Sequence, residues 1–249
     1  MQRRPEQLND DARYKTWVER IHRIQTETAD LFWNRKIFRA VDRMFETNPE
    51  LGKNTYLWNW LAETYRRDAA IAVRREMDGQ AGAENLYHLL HEMEKHAPLL
   101  TRTKYHAFFQ KVPVLQYNYG GFQGIGAFPT GEIDVQFERF GGPPGPGKAD
   151  DHIPRQIIAC DRKILEAKTK KVVDYAQRLV AHRTPIGQME LSKKEIDDAV
   201  YAIFKCVRKY QTLLTCESSL NATRIPQFDW LQPFRIPWIT EGFEPPEDD

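Results

Sequence analysis

Apolar residues recur at alternating steps of four and three through much of this chain, a period that builds one face of a helix and cannot line one face of a strand. The cleanest run is Ile196, Val200, Ile203, Val207, Tyr210 and Leu214. It follows Ser192-x-x-Glu195, a spacing at which hydroxyl and carboxylate cap a helix start reciprocally. Trp17, Ile21, Ile24, Thr28 and Leu31 keep the same step, continued by Ile37, Val41 and Met44. One helix over that whole span is long for a compact domain, so a break is expected near Thr28–Asp30. Asn48-Pro49 and Gly52 mark a turn. Asn54 is placed to cap a helix with the stripe Trp58, Ala62, Tyr65, Ala69 and Ala72, ended by Gly79. Leu86, Leu90 and Met93 give a shorter helix closed by Pro98, and Thr103–Gln110 reads as another piece. Ile158, Leu165, Val172, Tyr175 and Leu179 stripe a helix from about Arg155 to His182, stopped by Pro185 and Gly187.

The fold class is therefore mainly α, and two stretches interrupt it. Nine of the fourteen glycines lie between Gly120 and Gly147, with Pro129, Pro143, Pro144 and Pro146 among them, which argues against helix over most of that stretch. Ile133, Val135 and Phe137 alternate with Asp134 and Gln136 as in a short strand, half of a possible hairpin. Residues 112–153 read as an inserted loop in a bundle spanning 1–216. Residues 217–249 read as an irregular tail, whose Phe228, Trp230, Phe234 and Trp238 are expected to pack on the bundle or on a partner.

The formal net charge of +1 gives no whole-chain field for nucleic acid, so such a partner needs a local basic patch. Residues 155–183 hold four arginines and four lysines against Asp161, Glu166 and Asp174, a local +5. Residues 217–249 carry −5 and could neutralise it within the fold. Met1-Gln2-Arg3-Arg4 leads into no apolar segment, no stretch is apolar enough to span a membrane, and Cys160, Cys206 and Cys216 are odd in number and scattered. The expectation is a cytoplasmic chain with inert thiols, no cofactor and no membrane.

Asp174-x-x-x-Arg178-x-x-x-His182 places a carboxylate, a guanidinium and an imidazole within one arc near a helix end. An imidazole there can move a proton while a guanidinium stabilises the charged oxygens of a phosphodiester. Asp174 and Arg178 also make an ordinary i,i+4 pair, and His182 continues the apolar stripe. Arg74 and Arg75, followed by Glu76 and Asp78, could face phosphate as an anchored arginine cluster or form a solvated, salt-bridged face. With Lys170, Lys171 and Arg183 they are the expected RNA contacts. His88, Glu92 and His96 share a helix face, with His91 beside them, but ligands in a line along one helix do not converge on an ion, so no metal is expected.

The blocks Tyr56-Leu57-Trp58-Asn59, Arg66–Asp78, Tyr175–Arg183 and Asp229–Trp238 resemble the HEPN-type helical families, most closely the subgroup related to abortive-infection protein U. The resemblance implies a bundle of four to five core helices, often a homodimer. It links the chain to antiviral defence or a toxin–antitoxin pair, with RNA or a cognate protein as partner. Many members are metal-independent ribonucleases whose signature is Arg, four to six residues, then His. Here only three residues separate Arg178 from His182, so the histidine carries over and the usual arginine does not. The alternative is a non-catalytic interaction scaffold of the same fold.

Overall fold

The computed structural model describes residues 10–52, 55–80, 82–111, 115–119, 122–126, 130–144, 148, 151–181, 191–216 and 229–235. They form eight α-helices: α1 (Asp10–Thr47), α2 (Pro49–Gly52), α3 (Thr55–Glu76), α4 (Leu86–Lys95), α5 (Arg102–Lys111), α6 (Thr130–Arg139), α7 (Arg155–Ala181) and α8 (Lys193–Thr215). Eight helices overturn the expected bundle of four to five. The difference comes mainly from short helices at the bundle's ends and in the Gly/Pro-rich stretch.

The four long helices α1, α3, α7 and α8 form a ring in the order α1–α3–α7–α8, with α3 and α8 also touching across its middle. Neighbours run antiparallel. Tyr14 donates to the Leu214 carbonyl, Gln25 meets Gln211, and Arg35 grips Asp197 through two bonds of 2.7 and 2.8 Å, so α1 and α8 pair head to tail. Asn34 donates to Asp68 across α1 and α3. Lys171 reaches Glu195 across α7 and α8. The core within is mostly apolar, with Trp17, Ile21, Leu89, Met93, Ile158, Val200, Ile203 and Tyr210 among its buried members.

α1 is continuous, and the expected break near Thr28–Asp30 is absent. The Thr28 hydroxyl donates to the Ile24 carbonyl at 2.7 Å, so the β-branched residue is accommodated inside the helix and buried. α3 and α8 supply most of the packing that a helix of 38 residues needs. α8 starts on a full capping box: the Ser192 hydroxyl accepts from the Glu195 amide, and the Glu195 carboxylate accepts from the Ser192 amide. Lys171 and the Ser192 donors hold that carboxyl down at about 2. Ser192→Ala is expected to cost about 1 kcal/mol of stability, read as a lowered urea midpoint with an unchanged slope.

The stretch read as a strand at Ile133–Phe137 is helix α6. Ile133 and Phe137, four apart, are buried, whereas Val135 is exposed. A strand would have put all three on one side. The glycines that suggested loop serve as the helix stop. Gly141 takes φ +100°, and a Cβ at Gly142 would lie 2.3 Å from the Phe137 ring. The strands among the described residues are β1 (Leu115–Tyr119) and β2 (Phe122–Gly126), paired antiparallel from Leu115↔Gly126 to Tyr119↔Phe122. Phe137 and Ile153 join the main core, so this region is partly built into the bundle. Of the aromatic tail, Trp230 lies edge-on to Trp33 of α1, with ring centroids 5.9 Å apart. Phe228 and Trp238 lie outside the described residues.

Candidate nucleic-acid interface

α7 turns Val172, Leu165 and Ile158 inward, and its stripe spacing leaves Lys163, Ala167, Lys168, Lys170, Lys171 and Arg178 on the exposed side. Their partners separate them. Lys170 is bonded to Asp174 at 2.9 Å, and Lys171 to Glu195 at 2.6 Å. Lys163, Lys168 and Arg178 have no carboxylate within ion-pair distance among the described residues. From Lys163 to Arg178 the helix rises roughly 22 Å, and the unpaired cations fan over about 140° of its outer surface, Lys163 toward Tyr87 of α4 and Lys168 toward α8.

The expected i,i+4 pair of Asp174 with Arg178 does not form, because Lys170 takes the carboxylate from the other side. Arg178 is exposed and has no ion-pair partner among the described residues. His182 and Arg183 lie outside the described residues. Arg75 is not brought to this face. α3 runs antiparallel to α7, with Glu63 at the level of the Tyr175 hydroxyl, so Arg74 and Arg75 lie about level with Lys163, at the α4 end, and Arg75 turns toward α1. There Arg75 lies 3.9 Å from Glu27 and 3.8 Å from Glu76.

Between α7 and α8 runs a groove of about 430 Å³, floored by Leu165, Ala202 and Cys206. Lys168, Lys205, Lys209 and Asp198 stand along its rim, and Ile164 and Tyr201 are its exposed apolar walls. Lys209 is held by Asp161 at 2.6 Å, and the same carboxylate accepts from the Tyr210 hydroxyl at 2.8 Å. The Lys205 ammonium lies 4.7 Å from the centre of the Tyr201 ring. Burial pushes the Cys206 thiol up, so it stays protonated beneath the groove. Neither Lys168 nor Lys205 figured among the expected contacts; the groove appears only when α7 and α8 are set side by side.

Two other clusters of ionisable groups are structural. Glu92 accepts from the Trp17 indole at 3.3 Å and pairs with Arg20 at 3.2 Å, while Arg13 lies 2.6 Å from the His96 ring. Burial and the Arg13 charge hold His96 below its usual range, so the ring is a neutral acceptor in the α1–α4 seam. Sequence reasoning also missed a cluster at Asp134. Its carboxylate receives Arg102 at 2.6 Å and His106 at 2.8 Å, and Arg102 donates in addition to the Pro143 carbonyl. Burial works against the charge on Asp134, but the bonds from Arg102 and His106 outweigh it and hold the carboxyl below the usual range. The signal was the Arg102-x-x-x-His106 spacing, without the α6 register needed to find its acid.

Comparison of the chain with family models, curated proteins and solved structures finds no match. Among the described residues no helix is long and apolar enough to cross a membrane.

Proposed function

We propose that the chain binds RNA by its phosphate backbone along the outer face of α7 and the adjoining rim of α8. The observation that carries this reading is the run of exposed cations along α7, Lys163, Lys168 and Arg178, with no carboxylate within ion-pair distance among the described residues. A polyanion satisfies such a row and releases its own counterions in doing so. The resemblance to the HEPN-type families points the same way, and adds a role in antiviral defence or a toxin–antitoxin pair and a two-fold dimer. Cleavage without metal would use His182 to move the proton and Arg178 to stabilise the charged oxygens. Loss of cutting in excess EDTA on His182→Ala supports that half, and cutting that survives the substitution removes it.

The binding test is a salt titration. With a single-stranded RNA, each phosphate contact contributes about 0.7 to the slope of log K against log salt. The triple variant Lys163→Gln, Lys168→Gln, Arg178→Gln is expected to lower that slope by about 2. An unchanged slope sinks the proposal. A second reading, a protein-docking scaffold, is favoured by the corner of α2 and α3, where Tyr56 is 81% and Trp60 57% exposed beside Leu51 and Leu57. That reading gains if no RNA binds and a protein protects this corner.

A further inference from the structure

We infer that the α7–α8 groove takes an unpaired base, stacked against Tyr201, so that this face selects single-stranded over duplex RNA; the inference rests on the RNA-binding reading above. A backbone-binding edge needs only cations. This one adjoins a concavity with two exposed apolar walls, Ile164 at 54% and Tyr201 at 45%, over a floor of Leu165, Ala202 and Cys206. Apolar walls contribute nothing to a phosphate. They suit the face of a base, and the combination of a cationic groove with an exposed aromatic ring is how single strands are held without sequence readout. A duplex keeps its bases stacked inside and presents only phosphates and groove edges to such a site.

The details fit the same occupant. Arg35, locked on Asp197, lies 5.8 Å from the Tyr201 ring centre and steadies the ring from the α1 side. Lys205 rests on the ring with no carboxylate partner among the described residues. A base arriving at the ring displaces the ammonium, which then meets a neighbouring phosphate. Lys168, across the groove on α7, likewise has no carboxylate partner among the described residues. Asp198 at the rim can accept from an exocyclic amino group, which makes an adenine strand the natural probe.

The test is fluorescence anisotropy on the full chain with a labelled ten-nucleotide oligo-A, a labelled RNA duplex of equal length, and AMP as competitor. Wild type is expected to bind the single strand at least tenfold more tightly than the duplex. Tyr201→Ala is expected to lose about tenfold for the single strand and to leave the duplex unchanged. Tyr201→Phe, which keeps the ring, retains binding and guards against a folding defect. The pair Lys168→Gln, Lys205→Gln is expected to lower the single-strand salt slope by about 1.4. Equal binding of both RNAs, with Tyr201→Ala without effect on either, overturns the groove inference and leaves backbone binding standing. Binding of neither RNA overturns both readings. Competition by AMP as strong, nucleotide for nucleotide, as by oligo-A overturns the single-strand assignment in favour of a mononucleotide site.

Discussion

Arg102→Met is expected to destabilise the protein by about 3 kcal/mol, near the lower end of what stranding one member of a buried ion pair costs. Arg102 is 4% exposed and joins three separate pieces of chain. Its guanidinium bonds to Asp134 on α6 and to the Pro143 carbonyl, lies 3.7 Å from Asp151, and sits 5.0 Å from the centre of the Phe137 ring. Methionine keeps most of the volume and the contact with Phe137, so the loss reports on the polar groups left behind. Asp134 retains His106 and some solvent, which keeps the effect from the upper end of the range. Urea unfolding measures it. A loss under 1 kcal/mol would mean that the α5–α6 unit is held by its apolar contacts alone.

Glu76 gives the second large effect, and it depends on pH. It ends α3 with its carboxyl 1% exposed. One oxygen accepts from the Leu86 amide at 3.2 Å, and the other is buried without a hydrogen bond among the described residues. Burial raises its pKa from 4.5 to about 7. The Leu86 amide and the charges of Arg75 and of Arg23 on α1 oppose that rise, while Glu27 on α1 adds to it. The folded state therefore binds the proton more tightly than the unfolded chain. The stability this confers is whole below pH 4.5 and is lost progressively as pH rises through 7. At 1.36 kcal/mol for each unit, the loss is about 3 kcal/mol between pH 4 and pH 9. Glu76→Gln keeps an acceptor for Leu86 and carries no charge. Denaturation of the variant over that pH range is expected to lack this component, leaving it more stable than wild type at pH 8. Parallel pH profiles for the two proteins would mean that Glu76 ionises freely in the fold.

The parts of the fold that were legible are those in which local signals agree. The Ile196–Leu214 stripe and the Ser192 cap sit on the observed helix with its capping box intact. Thr28 and Asp30 misled because their weak helix preference is a local property, whereas the persistence of α1 is tertiary: α3 and α8 flank it on both sides. At α6 two signals pointed the wrong way. Alternation over five residues mimics a strand, and Gly141 and Gly142 were read as loop when they serve as a stop. Only Ile133 and Phe137, taken four apart, carried the helical period.

Charge was legible along α7, but its pairing was not. Lys170 and Lys171 read as contacts for RNA, yet Asp174 and Glu195 occupy them. Lys171 finds its acid on α8, beyond anything spacing within α7 can reveal. Tyr201 and Lys205 read only as parts of a helix until α7 was laid beside them. The four-residue spacing of Asp174, Arg178 and His182 drew attention to Arg178 and could not indicate that Asp174 would turn to Lys170.

The pairing of α1 with α8 bears on how the chain is made. Tyr14 meets Leu214 and Gln25 meets Gln211, so α1 has one of its two principal neighbours about 150 residues or more further along the chain. α8 begins only at Lys193, so at about 5–20 residues per second α1 waits roughly 10–30 s with Phe32 short of its ring partner Phe204. α3 covers part of the α1 stripe as soon as it emerges. The rest is a surface that a holdase can recognise, or on which a second nascent chain can mispair. Closure of the ring is therefore a late event in synthesis, and truncation anywhere before Thr215 should leave a soft, chaperone-dependent product.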